Sequence, residues 1–469
     1  MNKAEDLKNT LFSKKENGWV KMTQEQTQDI FSYCNKYIEF LNNSKTERQV
    51  IENCIKIAQE NGFKEISQYN NLKPGDKVYY INRNKSMYLA IIGKDNLKQG
   101  INIIGSHVDS PRLDLKPNPV YEDSGFAYLN THYYGGIKKY QWATIPLSIY
   151  GVIVKPNGEK INICIGDKQE DPVFVITDLL PHLADNQLEK TLKEGITGED
   201  LNILIGNIPY KTNDNNINEK VKLNILDILN KKYGIVESDL LSSELEAVPN
   251  FNARSLGLDN SMVGGYGQDD KVCVYTSLTA MMNISEPNKT SICILSDKEE
   301  IGSMGNTGME SDVFDNFISI LLKLSNQEEI NILEHIFNNS KMLSADVDSG
   351  FDPIYSNVYE KTNSSYLGHG VGLNKYTGSK GKSGASDANA EYVAQIRKLL
   401  EDNNINYQIA ELGKVDAGGG GTIAYILANK GIEVIDCGIP VLSMHSPYEV
   451  TSKFDIYSLY VFYQAFWNN

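Results

Sequence analysis

The sequence predicts an α/β fold with a mixed central sheet and helices on both faces, plus an inserted, mainly β second domain. Three observations lead there. Short apolar strands alternate with helical stripes through the C-terminal half, the pattern of a sheet layered by helices. The middle of the chain reads as β, with a hairpin and proline punctuation. At 469 residues the chain is long for one core, so a second domain or a large insertion is the default.

The elements follow in order. Thr23 and Gln26 form a capping box, and Ile30, Phe31, Cys34, Tyr37, Ile38 and Leu41 then recur at helical spacing. A second stripe, Val50, Ile51, Cys54, Ile57 and Ala58, stops at Gly62. KVYYINR, MYLAIIG and INIIGSH read as strands. After Lys116 the texture changes at Pro117 and Pro119, and SIYGVIVKPNGEKINICIG reads as a hairpin reversing at Asn157-Gly158. Loops rich in Asn and Lys, with one or two helices, run on to Pro249. The expected organisation is one discontinuous domain, 1–116 and 249–469, with an inserted domain at 117–248. Beyond the insert, a helix over 271–282 precedes SICILSD, and the helices VFDNFISILLKL and EEINILEHIF precede KMLSADVD. A long helix from near Ala385 precedes INYQIAEL, a further helix leads to IEVIDCG, and an apolar helix from about Phe454 closes the chain.

Composition sets bounds. A hydrophobic content of 41% with 22% charged residues is ordinary for a globular protein. The net charge of −15 argues against a nucleic-acid partner, which needs a basic face. The six cysteines form no C-x-x-C pair, and most sit in apolar runs, so they read as buried thiols in a reducing compartment. The N-terminal residues contain no apolar h-region, and no run of 18 apolar residues occurs. The expectation is a cytoplasmic protein without a membrane span.

Chemistry is concentrated at His107, Asp269, Glu300, Asp346 and His445, with Glu299 beside the central member. They end or follow the apolar runs INIIGSHVDS, ICILSDKEEIGS, MLSADVDSG and IPVLSMHSP, or open a helix at GYGQDDK. Ligands of α/β sheets collect at the carboxyl ends of strands. Two imidazoles and three carboxylates there suit two divalent metals, and the spare carboxylate suits a base, which points to water attacking a peptide or ester bond. In His107-Val108-Asp109, i and i+2 share a face, so Asp109 is placed to hold the imidazole's other N–H. Alone, H-x-D is more often a capped loop whose polar groups bond backbone. Asp269-Asp270 could merely cap the helix that follows; as a ligand, Asp269 would bridge two cations about 3.5–4 Å apart. Glu300 would bind a metal, while Glu299 takes a proton from the attacking water. Asp348 competes with Asp346, and a lone His445 could be structural. The order H, D, E-E, D, H carries the weight.

These segments, with GSHVDSPRLDLKPNP, PHLA at 181–184, QDDK, DKEEIGS, SADVDSG and MHSPYE, resemble the aspartyl aminopeptidase-type dinuclear zinc metallopeptidases over nearly the whole chain. The resemblance implies that His107 and Asp346 hold one metal and Glu300 and His445 the other. Asp269 would bridge them, Glu299 would be the general base, and the Asp269–Asp270 peptide bond would be cis. It implies that the insert is a dimerisation domain whose His182 enters a neighbouring subunit's active site, and that the subunits assemble as a dodecamer acting on peptides. A preference for acidic N-terminal residues would need a cation, for which Lys375 is the first candidate, ahead of Lys380 and Lys382. Leu258-Asp259-Asn260 is a decoy for the bridging pair, lacking the apolar helix that follows Asp269. Gly418 to Gly421 lack the Lys-Ser/Thr of a phosphate loop and read as a turn beside the site. Zinc is the expected metal, with cobalt or manganese able to substitute. Two alternatives remain at this point: a dinuclear amidohydrolase or deacetylase for small N-acyl substrates, and a non-enzymatic shell with a decayed site.

Overall fold

The computed structural model describes residues 3–13 and 16–469. A nine-stranded mixed sheet forms its centre, in the order Lys64–Glu65, Lys77–Asn82, Ser86–Ile91, Ser291–Ser296, Asn102–His107, Lys341–Ala345, Glu433–Gly438, Val371–Asn374, Tyr407–Ile409. The four strands from Ser291–Ser296 to Glu433–Gly438 are parallel, and antiparallel neighbours flank them on each side. Every residue of Asn102–His107 and Ser291–Ser296 is buried, as expected of strands covered on both faces.

One face is covered by the helices Gln24–Asn43, Glu47–Glu60, Gln268–Met282 and Lys453–Asn468, which share a core containing Cys34, Cys54, Leu278, Phe462 and Trp467. Phe314, Phe317 and Leu321 of the helix Val313–Leu324 belong to the core on the other face. Burying side chains of this size is worth roughly 1.5–3 kcal/mol each, which fixes the layers. The helices Gln24–Asn43 and Glu47–Glu60, which follow a first helix at Lys3–Leu11, begin as capping boxes, at Thr23 with Gln26 and at Thr46 with Gln49.

A second, six-stranded sheet is antiparallel: Lys160–Ile165, Leu147–Val154, Ser243–Pro249, Arg112–Asp123, Phe126–Tyr134, Ile203–Gly206. It has its own core around Trp142, Leu147, Ile153 and Leu201. The hairpin turns where Gly158 adopts φ 86°. The strand Arg112–Asp123 starts before the expected boundary at 116/117 and runs through Pro117 and Pro119. The ladder shifts register between Leu115 and Val120 there, so prolines that lack an N–H are tolerated.

Other details differ from expectation. The helix expected from Ala385 begins at Ala390, because Ala388 N–H binds the carbonyl of Lys375 and Asp387 pairs with Lys375 and Lys382. EEINILEHIF narrows to the helix Ile332–Asn338. A small sheet, Arg254–Leu256, Met262–Gly265, Glu449–Ser452, Pro440–Leu442 and Asp348–Ser349, was not expected, since its strands are too short to show periodicity. All six cysteines are unpaired, five of them buried. Among the described residues no helix is long and apolar enough to cross a membrane.

Candidate metal centre and active-site cleft

Three adjacent parallel strands, Ser291–Ser296, Asn102–His107 and Lys341–Ala345, end on one edge of the central sheet. His107 is the last residue of its strand, and Asp346 directly follows Ala345. Glu299 and Glu300 form the turn beyond Ser296, between Lys298 at φ 67° and Gly302 at φ 98°. Asp269 lies at the start of Gln268–Met282, where it and Asp270 depart from helical geometry and share a cis peptide bond. His445 sits between strands of the small sheet with φ 62°; Glu449 holds its backbone N–H at 2.7 Å.

These segments bring the six residues together. Asp269 lies between the imidazoles, with Oδ1 3.2 Å from His107 Nε2 and Oδ2 3.1 Å from His445 Nε2. Glu300 Oε2 is 3.5 Å from His445 Nε2. Asp346 Oδ1 and Glu299 Oε2 are each 3.9 Å from His107 Nε2. On the far side of each ring, Nδ1 meets a backbone carbonyl: Asp109 O at 3.0 Å for His107, and Gly136 O at 2.9 Å for His445. A carbonyl only accepts, so Nδ1 carries the hydrogen and Nε2 is the nitrogen turned to the centre.

Burial and mutual repulsion shape the charges. Burial pushes the Glu300 and Asp346 carboxyls well above the usual range, aided by Asp269. Burial raises Glu299 to about 7, helped by the Asp109 and Asp269 charges and opposed by His107. His445 is disfavoured as a cation by burial, yet its bond to Asp269 and the Glu300 charge hold its pKa at about 10. Asp269 resists the same burial and stays ionised, held down by the two imidazoles. Crowded buried carboxylates of this kind call for a cation. Asp269 Oδ1 and Glu300 Oε1 are buried without a hydrogen-bond donor. Two sets of ligand atoms, from His107, Asp269 and Glu300 and from His107, Asp270 and Asp346, each lie within 4.8 Å of one another. Imidazole nitrogen with carboxylate oxygen suits zinc and its first-row neighbours.

A family model described as Aminopeptidase I zinc metalloprotease (M18) matches residues 40–467. The chain belongs to that family. The probable M18 family aminopeptidase 1 of Clostridium acetobutylicum is 52% identical over 467 residues, covering 99% of this chain and 100% of that one. The crystal structure of an M18-family aminopeptidase from Thermotoga maritima matches with a TM-score of 0.93 at 42% identity, covering 97% of this chain and 100% of that one. The mApe1 dodecamer of S. cerevisiae shares the fold at 21% identity and a TM-score of 0.75, covering 94% and 97%. The chain is thus an aminopeptidase of a zinc-metalloprotease family, and these relatives do not favour the amidohydrolase and scaffold alternatives.

The cleft of this M18 aminopeptidase encloses about 530 Å³ in front of Asp269, Glu299, Asp346 and His445. Gly418 to Gly421 line it, and Gly419–Gly420 pairs with Gly378–Ser379 as a two-stranded flap. Lys380 and Lys382 also line it, whereas Lys375 does not; Asp387 engages the Lys375 ammonium together with that of Lys382. His182 is exposed on the turn Pro181–Leu183 and does not line the cleft of its own chain. Asp259 of the decoy turns its carboxylate to Ser261. Asp109 is fully buried and gathers the backbone N–H groups of Glu299 and Glu300, at 3.1 Å each. Sequence reasoning missed Glu449, which also accepts the backbone N–H of Asp269 at 3.1 Å. It missed Asp270 as well, whose Oδ2 accepts the His107 N–H at 3.3 Å. Glu449 follows His445 within MHSPYE, but it opens a strand of four residues, too short for a periodic signal to single it out.

Proposed function

We propose that this aminopeptidase uses two divalent ions, zinc foremost with cobalt or manganese as substitutes. His107 and Asp346 would hold one, His445 and Glu300 the other, and Asp269 both. The observation that carries the reading is the split of the Asp269 carboxylate, one oxygen toward each imidazole at 3.2 and 3.1 Å. When bound, such a pair polarises a scissile carbonyl and lowers the pKa of water. Glu299 then takes the proton from the attacking water and passes it to the leaving amine. A base working near neutrality fits a carboxyl that burial has raised to about 7. The carboxylates at the cleft floor receive the free α-amine of the peptide.

For acidic N-terminal residues the cationic element is the Lys375–Asp387–Lys382 cluster with Lys380 beside it, rather than Lys375 alone. His182 serves the cleft of a second copy. Exposed Leu179, Leu180, Leu183 and Leu188 around it are the kind of apolar patch that a partner covers. On this reading the patch is buried in a dimer built through the six-stranded sheet, and such dimers form a dodecamer, the oligomer that the fold-sharing mApe1 of S. cerevisiae forms. A reducing cytoplasm is the setting that suits five buried thiols.

The test compares aminoacyl-anilides bearing free amines with their N-acylated counterparts, under zinc, cobalt and manganese. Cleavage of the free-amine series alone supports the reading. Preferential turnover of N-acyl substrates would overturn it.

A further inference from the structure

The strand Phe126–Tyr134 belongs to the six-stranded sheet, yet its end and the turn after it reach the metal centre three times. The Tyr134 hydroxyl donates to Asp109 Oδ2 at 2.9 Å. Gly135 packs on Glu300 so closely that a Cβ built there would lie 3.3 Å from Oε2. The Gly136 carbonyl accepts from His445 Nδ1 at 2.9 Å.

Each contact acts through a group already placed at the centre. Asp109 is the acceptor for the Glu299 and Glu300 amides and lies 3.3 Å from His107 Nδ1 through Oδ1. Its orientation therefore bears on the base and on ligands of both ions. The Gly136 carbonyl fixes which nitrogen of His445 carries hydrogen and which faces Asp269. The segment is itself held firmly. The Arg112 guanidinium stacks 3.8 Å from the Tyr134 ring centroid. Arg112 is clamped by Asp114 at 2.8 Å, Glu246 at 3.2 Å and Glu47 at 3.7 Å. Glu47 starts a helix of the central-sheet layer, so this ion cluster joins the two sheets behind the site.

We infer that Tyr134 and Gly136 are positioning residues of the metal centre: through them the second sheet orients Asp109 and His445, making it part of the catalytic apparatus. The inference rests on the reading that His107 and His445 bind metal. Groups that orient ligands in this way typically set metal affinity by about 10- to 100-fold. Tyr134→Phe leaves the ring and the Arg112 stack and removes only the donor to Asp109. Gly136→Ala keeps the carbonyl but brings a methyl to 3.3 Å from His445 Nδ1, which tilts the imidazole. Tyr150→Phe is the control, because its hydroxyl donates to Asp167 at 2.8 Å in the same sheet, away from the centre.

The experiment uses the full assembled chain. Zinc affinity is measured by competition with a chromophoric chelator, alongside the melting temperature of the zinc-free protein and the pH profile of kcat. Tyr134→Phe is expected to bind zinc about 10-fold or more weakly, with an unchanged zinc-free melting temperature and a displaced pH profile, while Tyr150→Phe matches wild type. Wild-type protein without two tight zinc sites would sink the reading of the centre itself. Tight wild-type binding with Tyr134→Phe indistinguishable from Tyr150→Phe would overturn the inference alone. If Tyr134→Phe lowers the zinc-free melting temperature as well, Gly136→Ala decides: weakened zinc binding supports the inference, and unaltered binding overturns it.

Discussion

Glu449 accepts the backbone N–H of His445 at 2.7 Å through Oε1, and its other oxygen accepts that of Asp269 at 3.1 Å. One buried carboxylate thus fixes two separate loops, each carrying a candidate ligand. Glutamine at this position would turn an NH2 group toward one of the two donors. A buried donor left unmet costs about 1–3 kcal/mol. Glu449→Gln is therefore expected to unfold at lower urea concentration and to bind zinc more weakly, as read by chemical denaturation and chelator competition. Unchanged values for both would show that the two loops hold their positions without it.

Glu299 stands at the edge of the centre, 3.9 Å from His107 Nε2, and is not among the five residues proposed as ligands. Glu299→Gln keeps the size and removes the proton acceptor. Turnover of an aminoacyl-anilide is expected to fall by at least about 10²-fold, with zinc content and melting temperature as in wild type. Activity near the wild-type level would exclude Glu299 as the base.

His182 faces solvent in the isolated chain, so a catalytic role requires a second subunit. His182→Ala and Glu299→Gln should each be inactive alone. Dissociated, mixed and reassembled, they should recover about a quarter of wild-type activity, because half of randomly formed dimers pair an intact Glu299 with a partner's intact His182 at one of two sites. No recovery in mixed dimers verified by mass would return His182 to a role within its own subunit.

Much of the fold was legible because its long elements repeat. The stripe from Ile30 to Leu41, the capping box at Thr23 and the fully apolar run SICILS each show their period over enough residues to be read. The candidate ligands were legible for a different reason: charged residues stood where buried strands end. What stayed hidden lies in segments too short for any period, such as the strands of the small sheet. The partners whose contact depends on folding also stayed hidden. Tyr134 and Asp109 are separated by 25 positions, and Asp269 and Glu449 by 180. For Lys375 the charge was legible but its engagement by Asp387 was not.

Asp436 lines the cleft without belonging to the metal set. Thr422 donates to its Oδ1 at 2.6 Å, while Oδ2 is buried without a partner. Burial raises its pKa from 3.8 to about 6. The folded chain therefore keeps this proton up to about pH 6, whereas the unfolded chain releases it near pH 4. Between those values folding takes up a proton, so the contribution of Asp436 to stability is lost as pH rises from about 4 to about 6 and is constant above that. The full difference amounts to about 3 kcal/mol. Asp436→Asn keeps the acceptor for Thr422 and removes the titration. In urea unfolding of zinc-free protein, the variant should gain on wild type by up to about 3 kcal/mol between about pH 4 and pH 7. The Asp436 charge also helps to raise the buried Asp348 carboxyl, so that group titrates with it and contributes to the difference, while distant carboxyls cancel. Parallel pH curves would mean that Asp436 ionises normally in the fold, and that its second oxygen is solvated from the cleft.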